Sequence, residues 1–282
     1  MTLDSCWAIV PSMRTHDDHS ARKCASSRSR LRSAFTLVEM LVVVAVVAML
    51  LTLVLVGAAK LKQQVRLAES MQNQRTITTA FLAYFVDNNG KFAGVDTGTH
   101  PTYDWVVSAL PGNTSVEGYE LESAITRGSL WEYVGDLRAY KSPFDPHPTT
   151  ERLRSYSLNG FLASSETAAF WGGPPSAQVD RISKVVHPAE TLCCVTEFDH
   201  RGYNRNGWSI MGNFSYVWID KLQNWSPGFW EFSYMDGHTE PFRHASKQAD
   251  VDYYMNLETP SFFFETTDYK WLVLHLYPGQ EW

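Results

Sequence analysis

Two short stretches place a carboxylate beside an imidazole: Asp199-His200 and Asp236-Gly237-His238. Such a pair is the orienting half of an acid–base device, and it needs a nucleophile or a held water within hydrogen-bond reach. Neither stretch has a nucleophile frame such as G-x-S-x-G, and the chain has no H-E-x-x-H, P-loop or dinucleotide fingerprint. Tight turns collect Asp, Gly and His for backbone reasons of their own. The sequence therefore reads as that of a non-enzyme, unless an Asp/His pair converges with a nucleophile in a pocket. Cys193-Cys194 is the second candidate. Neighbours on a strand point to opposite faces, so the two thiols are poorly placed to share one metal. The expectation is one buried and one partly covered thiol, with a strained vicinal disulfide as the alternative.

A third group crowds one stretch: Trp225, Phe229, Trp230, Phe232 and Tyr234, with Trp208 and Trp218 upstream. Exposed, these rings would form a platform for sugars or a partner protein. Packed as alternating strand residues, they would be core.

The fourth candidate is one carboxylate, Glu39, at the edge of a segment with no other charge. From Met40 to Ala59 the chain reads MLVVVAVVAMLLTLVLVGAA. As a helix this run is roughly 30 Å long, the thickness of a bilayer core. A charge placed in hydrocarbon costs at least ~2.5 kcal/mol, so Glu39 needs a partner or a shallow position. Before the run lie Arg22, Lys23, Arg28, Arg30 and Arg32; after it come Lys60, Lys62 and Arg66, a bias toward a cytoplasmic N-terminus. The small residues Ser33-Ala34 precede the apolar run instead of following it, so a cut there would leave the hydrophobic segment on the mature chain.

Ser33-Ala34-Phe35-Thr36-Leu37-Val38-Glu39-Met40 resembles the type IV prepilin cleavage and methylation motif, shared by type IV pilins and the pseudopilins of type II secretion. The resemblance implies cleavage after Ala34 by a prepilin peptidase, N-methylation of Phe35, and Glu39 as the assembly carboxylate. It also implies a single-pass protein of the bacterial inner membrane, with its head periplasmic or extracellular, that polymerises with other pilin-like subunits. One departure stands at the cut, where Ala34 replaces the usual glycine. Without the resemblance, Glu39 would simply mark the headgroup level of an anchor.

The same resemblance orders the remaining chain. No proline occurs between Phe35 and His100, and Leu61, Val65, Ala68, Met71, Ile77, Phe81, Leu82 and Phe85 recur at mostly helical spacings. One helix is expected from about residue 35 to 85, with Gly57 as the point where a bend would fall, closed by Asp87-Asn88-Asn89-Gly90. The domain reading is a cleaved leader 1–34, a transmembrane part 35–59, an amphipathic continuation 60–87 and a head 88–282. Within the head, strands are expected at 191–198, 214–219, 230–235 and 270–276, with a hairpin at Asp236-Gly237. The fold class is α+β: a long N-terminal helix on a mainly antiparallel sheet, as in pilins.

Further stretches extend the likeness: Leu130-Trp131-Glu132-Tyr133-Val134, Ser142-Pro143-Phe144-Asp145-Pro146, Ser155-Tyr156-Ser157-Leu158-Asn159-Gly160, Pro188-Ala189-Glu190-Thr191 and Met235-Asp236-Gly237-His238. Their order resembles prepilin-like proteins with a processing-associated H-X9-DG head. The naming histidine would fall at Ser226 and a frequent cysteine at Ser142, so any role of those two does not transfer. Some pseudopilins hold Ca²⁺ in a head loop. Here Asp236, Asp145 and Asp220 are the candidate ligands, although no spacing resembles an EF-hand. No other cofactor is expected.

Composition bounds the rest. With 24 Lys+Arg against 30 Asp+Glu the chain carries −6, unlike a dedicated nucleic-acid binder. Four cysteines in 282 residues exclude a disulfide-dense scaffold. Removing residues 1–34 takes away six basic and three acidic residues, leaving 18 against 27, or −9. The alternative to a fibre subunit is a membrane-anchored envelope or carbohydrate-binding protein that uses the aromatic head.

Overall fold

The computed structural model describes residues 35–98, 103–107, 122–147, 152–163, 179–197, 207–210, 217–226, 228–255, 261–262 and 267–277. The chain divides into two units, Met1–Val54 and Leu55–Trp282. Helix α1, Leu37–Asp87, is helical throughout, Gly57 included.

In the first unit every described side chain is exposed, Phe35 at 70% and Leu41 at 63% among them. Among the described residues α1 is the helix long and apolar enough to cross a membrane. Valines and leucines all round such a helix have nothing to bury against within their own unit, so lipid or other apolar helices must cover them.

The second unit is α+β. The last turn of α1 stops where Asn89 (φ 56°) and Gly90 (φ 76°) enter the left-handed region. The Gly90 N–H then donates to Phe85 O at 2.8 Å, satisfying a carbonyl that helix geometry leaves without a partner. A four-stranded antiparallel sheet follows, in the order β3-β4-β6-β7: β3 Tyr156–Leu158, β4 Leu192–Thr196, β6 Trp230–Tyr234 and β7 Thr239–Phe242. A parallel pair, β1 (Gly94–Gly98) and β2 (Asp104–Val107), lies outside it. So does the short antiparallel pair β5 (Val217–Trp218) and β8 (Ser261–Phe262). The strand expected over 214–219 is thus present in its described part.

Strand alternation makes two cores. Ile77, Phe81 and Tyr84 of α1 pack with Phe92, Trp105, Tyr156, Leu158 and Cys194. Phe161, Leu192, Val195, Trp230, Phe232 and Tyr234 pack with Tyr269, Leu272, Val273 and Leu276. The latter four belong to a helix, Thr267–Leu276, and not to the expected strand 270–276. The spacing i, i+3, i+4, i+7 is helical; β-branched and aromatic composition favoured a strand, and period overrides it.

The hairpin at Asp236-Gly237 is present, with Gly237 at φ 91°. Tyr234 N donates to His238 O at 3.0 Å and Gly237 N to Tyr234 O at 2.9 Å. The apolar stripe of α1 needs correcting. Ile77 and Phe81 are buried, but Leu61, Val65 and Ala68 are exposed, because the packed face begins only near Ser70.

Candidate functional site

At the start of α1, Thr36 and Glu39 bond reciprocally. Thr36 N and Oγ1 donate to Glu39 Oε2 at 2.7 and 2.8 Å, and Glu39 N donates to Thr36 Oγ1 at 3.2 Å. This is a capping box, a Thr at the cap and a Glu three residues on, and it satisfies donors that a helix start leaves unpaired. It also fixes the carboxylate at the extreme N-terminal end of the helix, on Thr36, the residue after Phe35, with Oε1 unbonded among the described residues. Ala34 lies outside the described residues.

Residues 29–55 match the family model of the prokaryotic N-terminal methylation motif. The match spans the Ala34–Phe35 junction, the capping box and most of the exposed apolar helix, the layout of type IV prepilin-like proteins. No curated protein and no solved structure matches the chain.

Beyond the methylation motif, the structure places the head candidates one by one. Asp145 has a side chain shielded from solvent and four donors: Ser155 Oγ at 2.6 Å, Lys141 Nζ at 3.1 Å, and His147 N and Nδ1 at 2.9 and 2.8 Å. Burial works to raise this carboxyl, but the hydrogen bonds from Ser155, His147 and Lys141 outweigh it and hold it below the usual range. Asp220 Oδ2 accepts from Ser209 N and Oγ at 3.0 and 3.3 Å. Asp236 Oδ1 accepts from His238 N at 3.0 Å and meets His238 Nδ1 at 2.6 Å. Each calcium candidate thus already accepts hydrogen bonds from protein donors. Among the described residues no three His, Cys, Asp or Glu side chains gather as a metal site would require.

The Asp236/His238 pair locks its own turn, with the imidazole stacked on Tyr234 at 4.2 Å. Asp199-His200 lies outside the described residues. Cys193 and Cys194 are free and both fully buried, where one partly covered thiol was expected. Their strand is interior to the sheet, and the register shift between Leu192 and Cys194 breaks strict alternation. Burial pushes Cys193 up to about 12 and raises Cys194 well above its ordinary value, which favours the protonated thiol at both positions. Of the aromatic group, Trp208, Trp218, Trp230, Phe232 and Tyr234 are core, while Trp225 and Phe229 are half-buried. Trp230, at 3% exposure, stacks on Phe242. Trp230 therefore belongs to the core and offers no exposed stacking face, while Trp225 stays half-buried.

The stretches quoted from the head are wired to one another. Ser155 bonds Asp145, Met235 N donates to Thr191 O at 2.9 Å, and Asn159 Nδ2 donates to Leu192 O and Leu276 O, each at 2.8 Å. Ser226, at the position of the missing histidine, donates to Glu231 Oε1 at 3.1 Å.

A polar seam along α1 escaped the sequence reading. Ser70, Gln74 and Thr78, spaced i, i+4, i+8, are fully buried against the sheet. The hydroxyls of Ser70 and Tyr156 share a bond of 3.1 Å, and those of Thr78 and Ser233 one of 2.6 Å. Gln74 Nε2 donates to Thr196 Oγ1 at 3.0 Å and Glu231 O at 2.9 Å. The only sequence signal was polar residues at helical period among apolar ones, which reads as an exposed face.

Proposed function

We propose that this protein is a non-enzymatic, pilin-like structural subunit of the bacterial inner membrane. A prepilin peptidase removes the leader after Ala34 and the new N-terminus, Phe35, is methylated. The apolar half of α1 first rests in the bilayer and then packs against the same segment of neighbouring subunits, in a type II secretion pseudopilus or a type IV pilus-like fibre. The head, from about residue 88, faces the periplasm or the exterior and presents the surfaces that select partners.

The observation that carries this reading is the methylation motif at residues 29–55 laid over the N-terminal part of a helix whose apolar side chains there are exposed on every side. Cleavage creates an α-ammonium beside hydrocarbon, where a lone cation is costly. Glu39 supplies the compensating charge, and taking it from a neighbouring subunit would fix the axial register. The prediction is measured by intact-mass and N-terminal analysis of protein from native membranes. We expect a chain beginning with N-methyl-Phe35. An uncleaved N-terminus, or one beginning after Ala59, sinks the proposal.

A further inference from the structure

The sheet lies on α1 in a register that aims one end of the head at the apolar run. Gln74 reaches Glu231 O and Thr78 meets the Ser233 hydroxyl, so β6 ascends along α1 from Trp230 to Tyr234. Phe242, the last residue of β7, pairs with Trp230. Phe229 and Arg243, one residue further on each strand, therefore point back toward Ala59, where the uncharged run stops. Between that end of the sheet and the helix lies a groove of about 190 Å³, lined by Gln63, Gln64, Leu67, Phe229, Pro241 and Arg243. Gln63 and Leu67, seven and three positions before Ser70, continue the helix face that Ser70 and Gln74 bury against the sheet. Lys60 sits one turn below Gln63 on that same face.

Position and charge select the occupant. At 1.5 Å per residue, Gln63 and Leu67 stand about 6 and 12 Å beyond Ala59, and the headgroup layer on each side of a bilayer core is roughly 5–8 Å deep. The groove thus opens at headgroup level when the apolar run spans the core. Charge there runs against the acidic whole. From Met40 to Ala68 the chain carries Lys60, Lys62 and Arg66 and no carboxylate, and Arg243 adds a cation from the head. All four are exposed, and none has a hydrogen-bonding or ion-pair partner among the described residues. The groove is smaller than sites that enclose a free small molecule, roughly 300–1,000 Å³, but it suits a headgroup whose chains stay in the bilayer. The Arg243 fork and the Lys60 ammonium donate to phosphate oxygens, and the Gln63 and Gln64 amides to ester or hydroxyl oxygens. Leu67, Phe229 and Pro241 cover the glycerol C–H groups. A zwitterionic headgroup brings an ammonium that the cations repel. We propose that this groove and its flanking cations hold the head to the membrane surface by binding the phosphate headgroup of an anionic phospholipid, in the leaflet where α1 emerges. The inference rests on the membrane placement proposed above and names the lipid that it favours.

Native mass spectrometry tests it on the full chain released from nanodiscs that hold equal parts of phosphatidylglycerol and phosphatidylcholine. We expect at least one phosphatidylglycerol retained per chain, preferred about twentyfold or more over phosphatidylcholine. A cation beside an anionic surface is worth about fivefold in binding, so Lys60→Gln and Arg243→Gln should each cut the preference by that factor. Arg138→Gln, which removes an exposed cation already paired with Asp136 at 2.8 Å, should leave it unchanged. All three positions are exposed, so the variants leave the core intact. Equal retention of the two lipids, or a preference that survives Lys60→Gln and Arg243→Gln combined, overturns the proposal and leaves the membrane placement standing. Chains released in pairs without lipid give the groove to a second copy and overturn it as well. A chain that does not enter nanodiscs at all overturns the membrane placement and this proposal with it.

Discussion

Glu231 is a buried carboxyl whose ionisation bears on the stability of the head. It lies 1% exposed on β6, on the face turned toward α1, with Ser226 Oγ and Gln223 Nε2 donating to its carboxyl at 3.1 and 3.3 Å. Burial nevertheless dominates and pushes it up to about 7 from an ordinary 4.5. Between those values the folded chain keeps a proton that the unfolded chain has released. Stability from this group is therefore complete below about pH 4.5 and declines as pH rises through about 7, by roughly 3–4 kcal/mol in all. Glutamine at this position mimics the protonated form. Melting of wild type and Glu231→Gln compared at pH 5 and pH 8 should show the wild type losing ground by several degrees at the higher pH. Parallel pH profiles would remove Glu231 as the cause. The identity of this residue was unreadable in advance: a Glu between Trp230 and Phe232 looks like the solvent face of an alternating strand. Gln223 and Ser226, from the segment before β6, close over its carboxyl, while Gln74 of α1 bonds its backbone oxygen.

At the scale of elements, the junction between α1 and the sheet is built from hydrogen bonds as much as from apolar contact. Losing one partner of a buried pair costs about 1–3 kcal/mol, whereas replacing both by apolar groups can be nearly neutral. Gln74→Leu removes the donor to Thr196 Oγ1 and Glu231 O and should lower stability by about 1–2 kcal/mol; the Thr196 side chain keeps its bond to the Glu231 carboxyl, and the unpaired Gln74 Oε1 already costs something, which keeps the loss modest. Thr78→Val should cost about 1 kcal/mol or less, because Ser233 Oγ keeps its bond from Cys194 N at 3.1 Å. Thermal melting of the two variants should rank them in that order, and the reverse order would refute this account of the seam. The sequence made α1, its end at Asp87 and the Asp236-Gly237 hairpin legible because each has a local cause: an unbroken run without proline, and residues that tolerate positive φ. It misplaced Lys270–Leu276, whose composition and period pointed in different directions. It missed the seam because a Ser, a Gln and a Thr acquire their meaning only from the strands opposite them. Of the N-terminal site, the carboxylate was legible by its isolation, whereas its bonding to Thr36 followed only once the helix start was placed.

For the whole molecule, the proposed fibre gives Glu39 a second role beside the observed cap, and substitution can part the two. As the third residue of a capping box it serves its own helix, and Gln serves there nearly as well as Glu. As a counter-charge for a neighbour's Phe35 amine it must be ionised, and Gln cannot replace it. A charge-assisted hydrogen bond contributes about 1.5–3 kcal/mol, so each subunit joining without it is held roughly tenfold or more less tightly. Over a polymer that weakening recurs at every contact, and assembly should fall below detection while the monomer stays intact. Glu39→Gln and Glu39→Val should both remain in the membrane fraction, since the apolar run of α1 is unchanged or lengthened. Both should also disappear from sheared fibre fractions and from subunit cross-links. If Glu39→Gln assembles as well as wild type, capping is the whole purpose of the carboxylate, and the register of the polymer is set by helix packing alone.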